Sequence, residues 1–87
     1  MKVAVWDTYV TRTNGVIMNF DIIVPETMTD DETVFSYGKA YLKSRQMPDH
    51  PLTANQCSFC HIEKATEQMI QDIEEKGYHI LELRNCK

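Results

Sequence analysis

No apolar run in this chain approaches the ~20 residues that a membrane-spanning helix needs, so no membrane span is expected. No cluster of Lys and Arg stands out either. Nine basic residues face thirteen acidic ones, a formal net charge of −4, and a sheath of phosphates would be repelled. Nucleic acid is therefore excluded as the first expectation for a partner. An apolar core of the signal-peptide kind is missing near the start, because Asp7 follows Val3-Ala4-Val5-Trp6 too soon. The expectation is a cytoplasmic protein. Cysteine is scarce and odd in number, three in all, which in a reducing compartment argues against a disulfide framework. Cys57 and Cys60 are accordingly expected to be reduced and buried, with Cys86 a free thiol. There is no repeat, no linker and no low-complexity segment, so residues 1–87 form a single domain. A Walker loop, a dinucleotide fingerprint and a recognisable serine or cysteine triad are all missing, which removes the standard catalytic classes and leans the reading away from an enzyme.

What is present suffices for a small core. The hydrophobic fraction is 43% and the charged fraction 25%, both ordinary for a folded protein. At this length roughly 60–65% of the unfolded chain's surface can be buried. Residues 2–10 are rich in β-branched and aromatic side chains and read as a strand. Asn14-Gly15 then signals a type I′ hairpin turn, since both residues tolerate positive φ. Val16, Met18, Phe20, Ile22 and Val24 alternate along a second strand, which Pro25 ends. Thr29-Asp30-Asp31-Glu32 matches a capping box, and Val34, Tyr37, Tyr41 and Leu42 make a helical stripe over about 30–45. Residues 46–56, with two prolines, read as a loop, and 58–63 as a short third strand. Thr66 caps a second helix that buries Met69, Ile70 and Ile73 and stops at Gly77. Tyr78 to Leu83 form the last strand. The order β-β-α-β-α-β predicts an α+β two-layer sandwich with a four-stranded mixed sheet. Right-handed crossovers would then set both helices on one face.

Cys57-Ser58-Phe59-Cys60-His61 is the stretch best suited to chemistry. Two thiols three apart supply half of a tetrahedral zinc site, and His61 and Cys86 are candidates to complete it. The alternatives are small buried hydrophobes or a redox pair, although no helix N-terminus is expected close enough to lower the thiol pKa. Haem attachment matches the letters alone and requires export. Asp7 is the odd residue of the hairpin. The turn reading places it opposite Ile22, on the apolar face with Val5, Phe20 and Val24, where a carboxylate needs a hydrogen-bond donor. His61 and Glu63 are its expected partners in a local binding site. On the same reading Trp6, Ile17 and Ile23 share the other, uncovered face of the hairpin, which suggests self-association into a homo-oligomer.

Three motifs in order, Val5-Trp6-Asp7-Thr8-Tyr9-Val10, Phe20-Asp21-Ile22-Ile23-Val24-Pro25 and Cys57-Ser58-Phe59-Cys60-His61-Ile62-Glu63, resemble a family of small bacterial proteins described as a domain of unknown function. The resemblance spans nearly the full chain. It implies a compact α/β fold and no particular activity. Taken together, the sequence reads as a small non-catalytic interaction domain that self-associates. The alternative is a small metal-binding or thiol-redox protein using the Cys57–His61 segment.

Overall fold

The computed structural model describes residues 2–47, 50–57 and 65–86. Its elements are β1 (Val3–Thr11), β2 (Ile17–Pro25), α1 (Asp31–Ser44), β3 (Leu52–Gln56), α2 (Glu67–Lys76) and β4 (His79–Arg84). The strands form one sheet in the order β3-β1-β2-β4. Every neighbouring pair is antiparallel, so the expected mixed sheet is not observed.

The hairpin turn sets the register of the whole sheet. Arg12 N donates to Val16 O at 2.8 Å and Gly15 N donates to Arg12 O at 2.9 Å, with Gly15 at φ +83°. Asn14 Oδ1 accepts from Val16 N at 3.1 Å. Residues 13–15 thus form a three-residue loop with its left-handed position at glycine, not the two-residue type I′ turn that Asn-Gly suggests. One extra loop residue slips the pairing by one. Asp7 lies opposite Asp21 instead of Ile22, and Trp6 lies opposite Ile22. A slip of one residue exchanges the cross-strand neighbours on both faces.

The first face carries Trp6, Thr8 and Val10 with Met18, Phe20, Ile22 and Val24, and none of these is more than 4% exposed. Thr8 satisfies its hydroxyl locally by donating to Trp6 O at 3.2 Å. Helix α1 lies on this face through Val34, Tyr41 and Leu42. Gly38 lets the helix come close, since a Cβ there would stand 3.0 Å from Leu52 Cδ2 and 3.3 Å from Ile22 Cδ1. Its N-cap is Asp30, which receives a hydrogen bond from the Thr33 hydroxyl, and the expected Thr29–Glu32 capping box does not form. At the far end, the Tyr41 hydroxyl and Arg45 both donate to Glu82 on β4, and the Phe20 and Tyr41 rings meet at 4.6 Å.

Helix α2 lies on the opposite face. The Thr66 hydroxyl accepts from Met69 N at 3.1 Å and Gly77 ends the helix at φ +95°, as the sequence predicts. Met69 and Ile73 pack on Val5 and Ile23, with Ala65 beside them. The two helices therefore sit on opposite faces, and the expected two-layer arrangement is overturned. The physical reason lies in strand direction. β2–α1–β3 joins strands that both run antiparallel to β1 and so run parallel to each other, the case in which crossovers are right-handed. β3–α2–β4 joins antiparallel strands at opposite edges of the sheet, where that rule places no constraint.

The third strand is also displaced. It forms at Leu52–Gln56, inside the segment expected to be a loop, while the segment expected to be that strand, 58–63, lies outside the described residues. No helix among the described residues is long and apolar enough to cross a membrane.

Candidate functional site

On the second face the register aligns side chains in rows across the sheet. One row runs through Val5, Ile23 and His79, and Cys57 joins it by donating its amide to Val5 O at 2.8 Å. The next row is Asn55, Asp7, Asp21 and Leu81. The third is Thr53, Tyr9, Asn19 and Arg84. Rows two residues apart along a strand stand ~7 Å from one another, and neighbouring strands ~4.8 Å. Helix α2 covers the first row. It is fastened there by Met69 and Ile73 and by a contact of 2.6 Å between His79 Nδ1 and Asp72 Oδ2, which holds the Asp72 carboxyl below its usual range. The second and third rows are left uncovered by either hydrophobic cluster.

The uncovered rows hold a carboxylate pair and its attendants. Asp7 and Asp21 are direct cross-strand partners. Asn19 Nδ2 donates to Asp7 Oδ1 at 3.0 Å and to Thr8 O at 2.9 Å. Burial first, then the charge of Asp7 and a hydrogen bond with it, push the Asp21 carboxyl up to about 6. Hydrogen bonding to Asp7, followed by its negative charge, holds the Tyr9 hydroxyl above its usual range, while Arg84 pulls it the other way. Among the described residues, neither carboxylate forms an ion pair with a cation, and the Arg84 guanidinium has no carboxylate partner. Apolar side chains flank these groups: Tyr9 is 45% exposed, Ile17 47%, Leu81 36% and Leu83 52%. Arg84 reaches the third row through a bulge in the β2–β4 ladder, where Phe20 pairs with Glu82 and Asn19 with Arg84.

The residues expected to form a site are distributed differently. Asp7 leaves the apolar face for the open one, for the register reason given above. His61 and Glu63, its expected partners, lie outside the described residues, as does Cys60. Cys57 is disulfide-bonded, which corrects the expectation that it is reduced. Cys86 is a free, buried thiol whose Sγ donates to Asn19 O at 3.2 Å. Cys57 belongs with Val5 and Cys86 with Asn19, the partner of Tyr9, four residues further along β1. That separation is ~13 Å along the strand direction, so the two sulfurs do not share one ion. Among the described residues no group of three or more His, Cys, Asp or Glu side chains is placed to hold a metal. Trp6, Ile17 and Ile23 do not share a face: Trp6 is 4% exposed in the α1 cluster, Ile23 is fully buried in the α2 cluster, and Ile17 alone is open. The groups missed from sequence, Asp21 and Arg84, become visible once the turn length and the β4 bulge are known.

A second polar cluster sits at the end of α1, around Tyr41, Arg45, Glu82 and Cys86. Its cations are engaged within the chain, Arg45 with Glu82 and Arg12 with Asn85 O at 2.7 Å, and burial first, then the hydrogen bond to Glu82, push the Tyr41 hydroxyl up. It works as a lock between α1, β4 and the C-terminal segment.

The fold is similar over its whole length to a solved one. The NMR structure of protein NE1680 from Nitrosomonas europaea matches with a TM-score of 0.79 and 30% sequence identity, covering 100% of both chains. No curated protein matches the chain. A family model matches residues 1–83, and the chain accordingly belongs to the family described as a domain of unknown function, DUF2024.

Proposed function

We propose that this chain is a non-catalytic interaction domain that binds a second copy of itself through the uncovered half of the second sheet face. One observation carries the reading. The same face is sealed by α2 over the Val5–Ile23 row and left open over the rows beyond it, where Leu81, Tyr9 and, one row further, Ile17 expose apolar surface among charged groups. Exposed apolar groups gathered on one sheet face, interleaved with polar ones, have the composition of an interface. The charges favour a second copy as the occupant, because the face carries both a carboxylate pair and a guanidinium that form no ion pair among the described residues. This surface replaces the one suggested by Trp6, Ile17 and Ile23.

Sedimentation velocity between about 5 and 200 µM tests the reading, a range chosen to span weak and strong homodimers. The expected result is a monomer–dimer equilibrium in the wild type and monomer alone in an Ile17→Glu, Leu81→Glu double variant. A wild type that stays monomeric over the whole range overturns it.

A second reading rests on one observation. Cys57 carries a disulfide, and a disulfide sulfur is not the thiolate that zinc requires. At this sulfur thiol–disulfide exchange is favoured over metal binding. Titration of thiols in the native protein against a graded series of dithiothreitol redox buffers tests it. Reduction at potentials typical of structural disulfides, well below those of catalytic dithiols, counts against an exchange role.

A further inference from the structure

The cell of the sheet bounded by Asp21, Leu81, Arg84 and Asn19 has opposite charges on one diagonal. Asp21, with Asp7 beside it, occupies one corner and Arg84 the other. Leu81 and Asn19 occupy the second diagonal. Like charges set directly across an antiparallel pair destabilise the sheet, and among the described residues the neutral groups Asn19 and Tyr9 attend the pair. Arg84 stands one row and one strand from Asp21, ~8 Å by strand and row spacing, yet among the described residues it forms no ion pair with either carboxylate. Each half of the patch thus lacks what the other half offers.

We infer that two copies dock about a twofold axis lying along the Leu81–Asn19 diagonal, so that Arg84 of each copy pairs with the Asp7–Asp21 carboxylates of the other. This rests on the self-association reading above and specifies its geometry. A twofold axis in the plane of an interface carries each side of the axis onto the opposite side in the other copy, so a single operation brings Arg84 of each copy within a few ångströms of the other's Asp21 corner and creates both ion pairs at once. It also sets Leu81 against its own copy at the axis, where an apolar side chain excludes water from the flanking charges. Contacts of this kind are isologous and close on themselves, so the assembly stops at two chains. The pairing supplies a cation to a carboxylate pair that has none among the described residues of its own chain, and docking removes water from both partners, which strengthens the attraction.

The experiment is a charge exchange read by sedimentation velocity and light scattering. Arg84→Glu alone is expected to weaken self-association by at least roughly tenfold, and Asp21→Lys alone likewise, because each variant confronts like charges at both symmetric contacts. An equimolar mixture of the two variants is expected to recover association as a heterodimer. In that mixture one contact is wild type and the other is an exchanged pair of opposite sign. Raising the salt concentration weakens both the wild-type dimer and the heterodimer. Circular dichroism melts of each variant establish that it is folded, and Arg84→Lys, which keeps the charge, serves as the folded control that retains association. If the wild type dimerises and Arg84→Glu dimerises with the same affinity, the pairing is wrong while the self-association reading stands. If both single variants are monomeric and their mixture stays monomeric, the pairing is also wrong. If the wild type is monomeric at every concentration, both fall.

Discussion

Alternate residues of the same two strands meet opposite fates on the two faces of this sheet. On one, Met18, Phe20, Ile22 and Val24 are fully buried beneath α1, with Trp6 and Val10 beside them. On the other, Val5 and Ile23 are buried by α2, and two and four residues further along each strand the surface turns to Asp7 and Tyr9 on β1 and to Asp21 and Asn19 on β2. Stability resides mainly on the first face, where the large side chains interdigitate. The second face is divided between a small cluster that holds α2 and a patch whose charged groups form no ion pair among the described residues. A strand that presents Phe20 to one side and Asp21 to the other serves both demands, since neighbouring residues point to opposite faces.

The largest expected effect tests that division. Phe20→Ala removes a fully buried ring at the centre of the α1 cluster, in contact with Tyr41, and is expected to cost about 3–5 kcal/mol in a urea melt. Met69→Ala, at 8% exposure in the smaller α2 cluster, is expected to cost about 2 kcal/mol, at the low end for a buried methionine. Equal losses from the two would mean that the faces contribute alike, with no division of stability between them.

A sharper test lies where the two faces meet. Gly77 ends α2 at φ +95°, and a Cβ there would stand 2.7 Å from the Tyr37 hydroxyl of α1. Tyr37 in turn stacks on Tyr78, with ring centroids 4.4 Å apart. Gly77→Ala combines the left-handed backbone cost, about 1–2 kcal/mol, with displacement of that ring pair. A loss of about 2–3 kcal/mol is expected in thermal melts. In a Tyr37→Phe background the hydroxyl is gone and the penalty should shrink toward the backbone cost alone. An unchanged penalty would place the whole effect in the backbone.

Those same residues show how much of the molecule the sequence discloses. Thr66 and Gly77 bound α2 correctly because both signals are local, a hydroxyl for the first amides and a residue free to adopt positive φ. The alternation in residues 16–24 gives β2 for the same reason. The third strand, Leu52-Thr-Ala-Asn-Gln56, escapes because its residues have mixed or low strand preference, and its order comes from backbone pairing to β1 at a sheet edge. The open patch escapes for a different reason. Asn14-Gly15 identifies a turn, but whether two or three residues form the loop decides which carboxylate meets which side chain. Asp7 stands out in the sequence as a carboxylate among apolar residues, whereas its partnership with Asp21 exists only in the slipped register. The position of Arg84 depends further on a bulge that no local pattern announces.

The smallest effect concerns that carboxylate pair and separates its ionisation from the rest of the fold. Asp21 titrates near 6 in the folded chain, chiefly because it is partly buried and secondarily because Asp7 faces it. In the unfolded chain it titrates near about 4. Between those values the folded state holds more protons than the unfolded state, so stability falls as pH rises through this window. The contribution is fully present below pH ~4 and gone once pH exceeds ~6. Asp21 remains partly solvated, and screening reduces the effect to about 1 kcal/mol. Asp21→Asn keeps the shape and removes the charge. The variant is expected to match wild type near pH 4 and to exceed it by about 1 kcal/mol at pH 7. The His79–Asp72 contact is common to both proteins, so the difference between their urea melts across pH 4–7.5 isolates Asp21. The melts belong at low micromolar concentration, where association adds nothing to either protein. A wild type that gains stability relative to Asp21→Asn as pH rises would mean that a cation already neutralises the pair within the chain, and the open face would then have no need of Arg84 from a second copy.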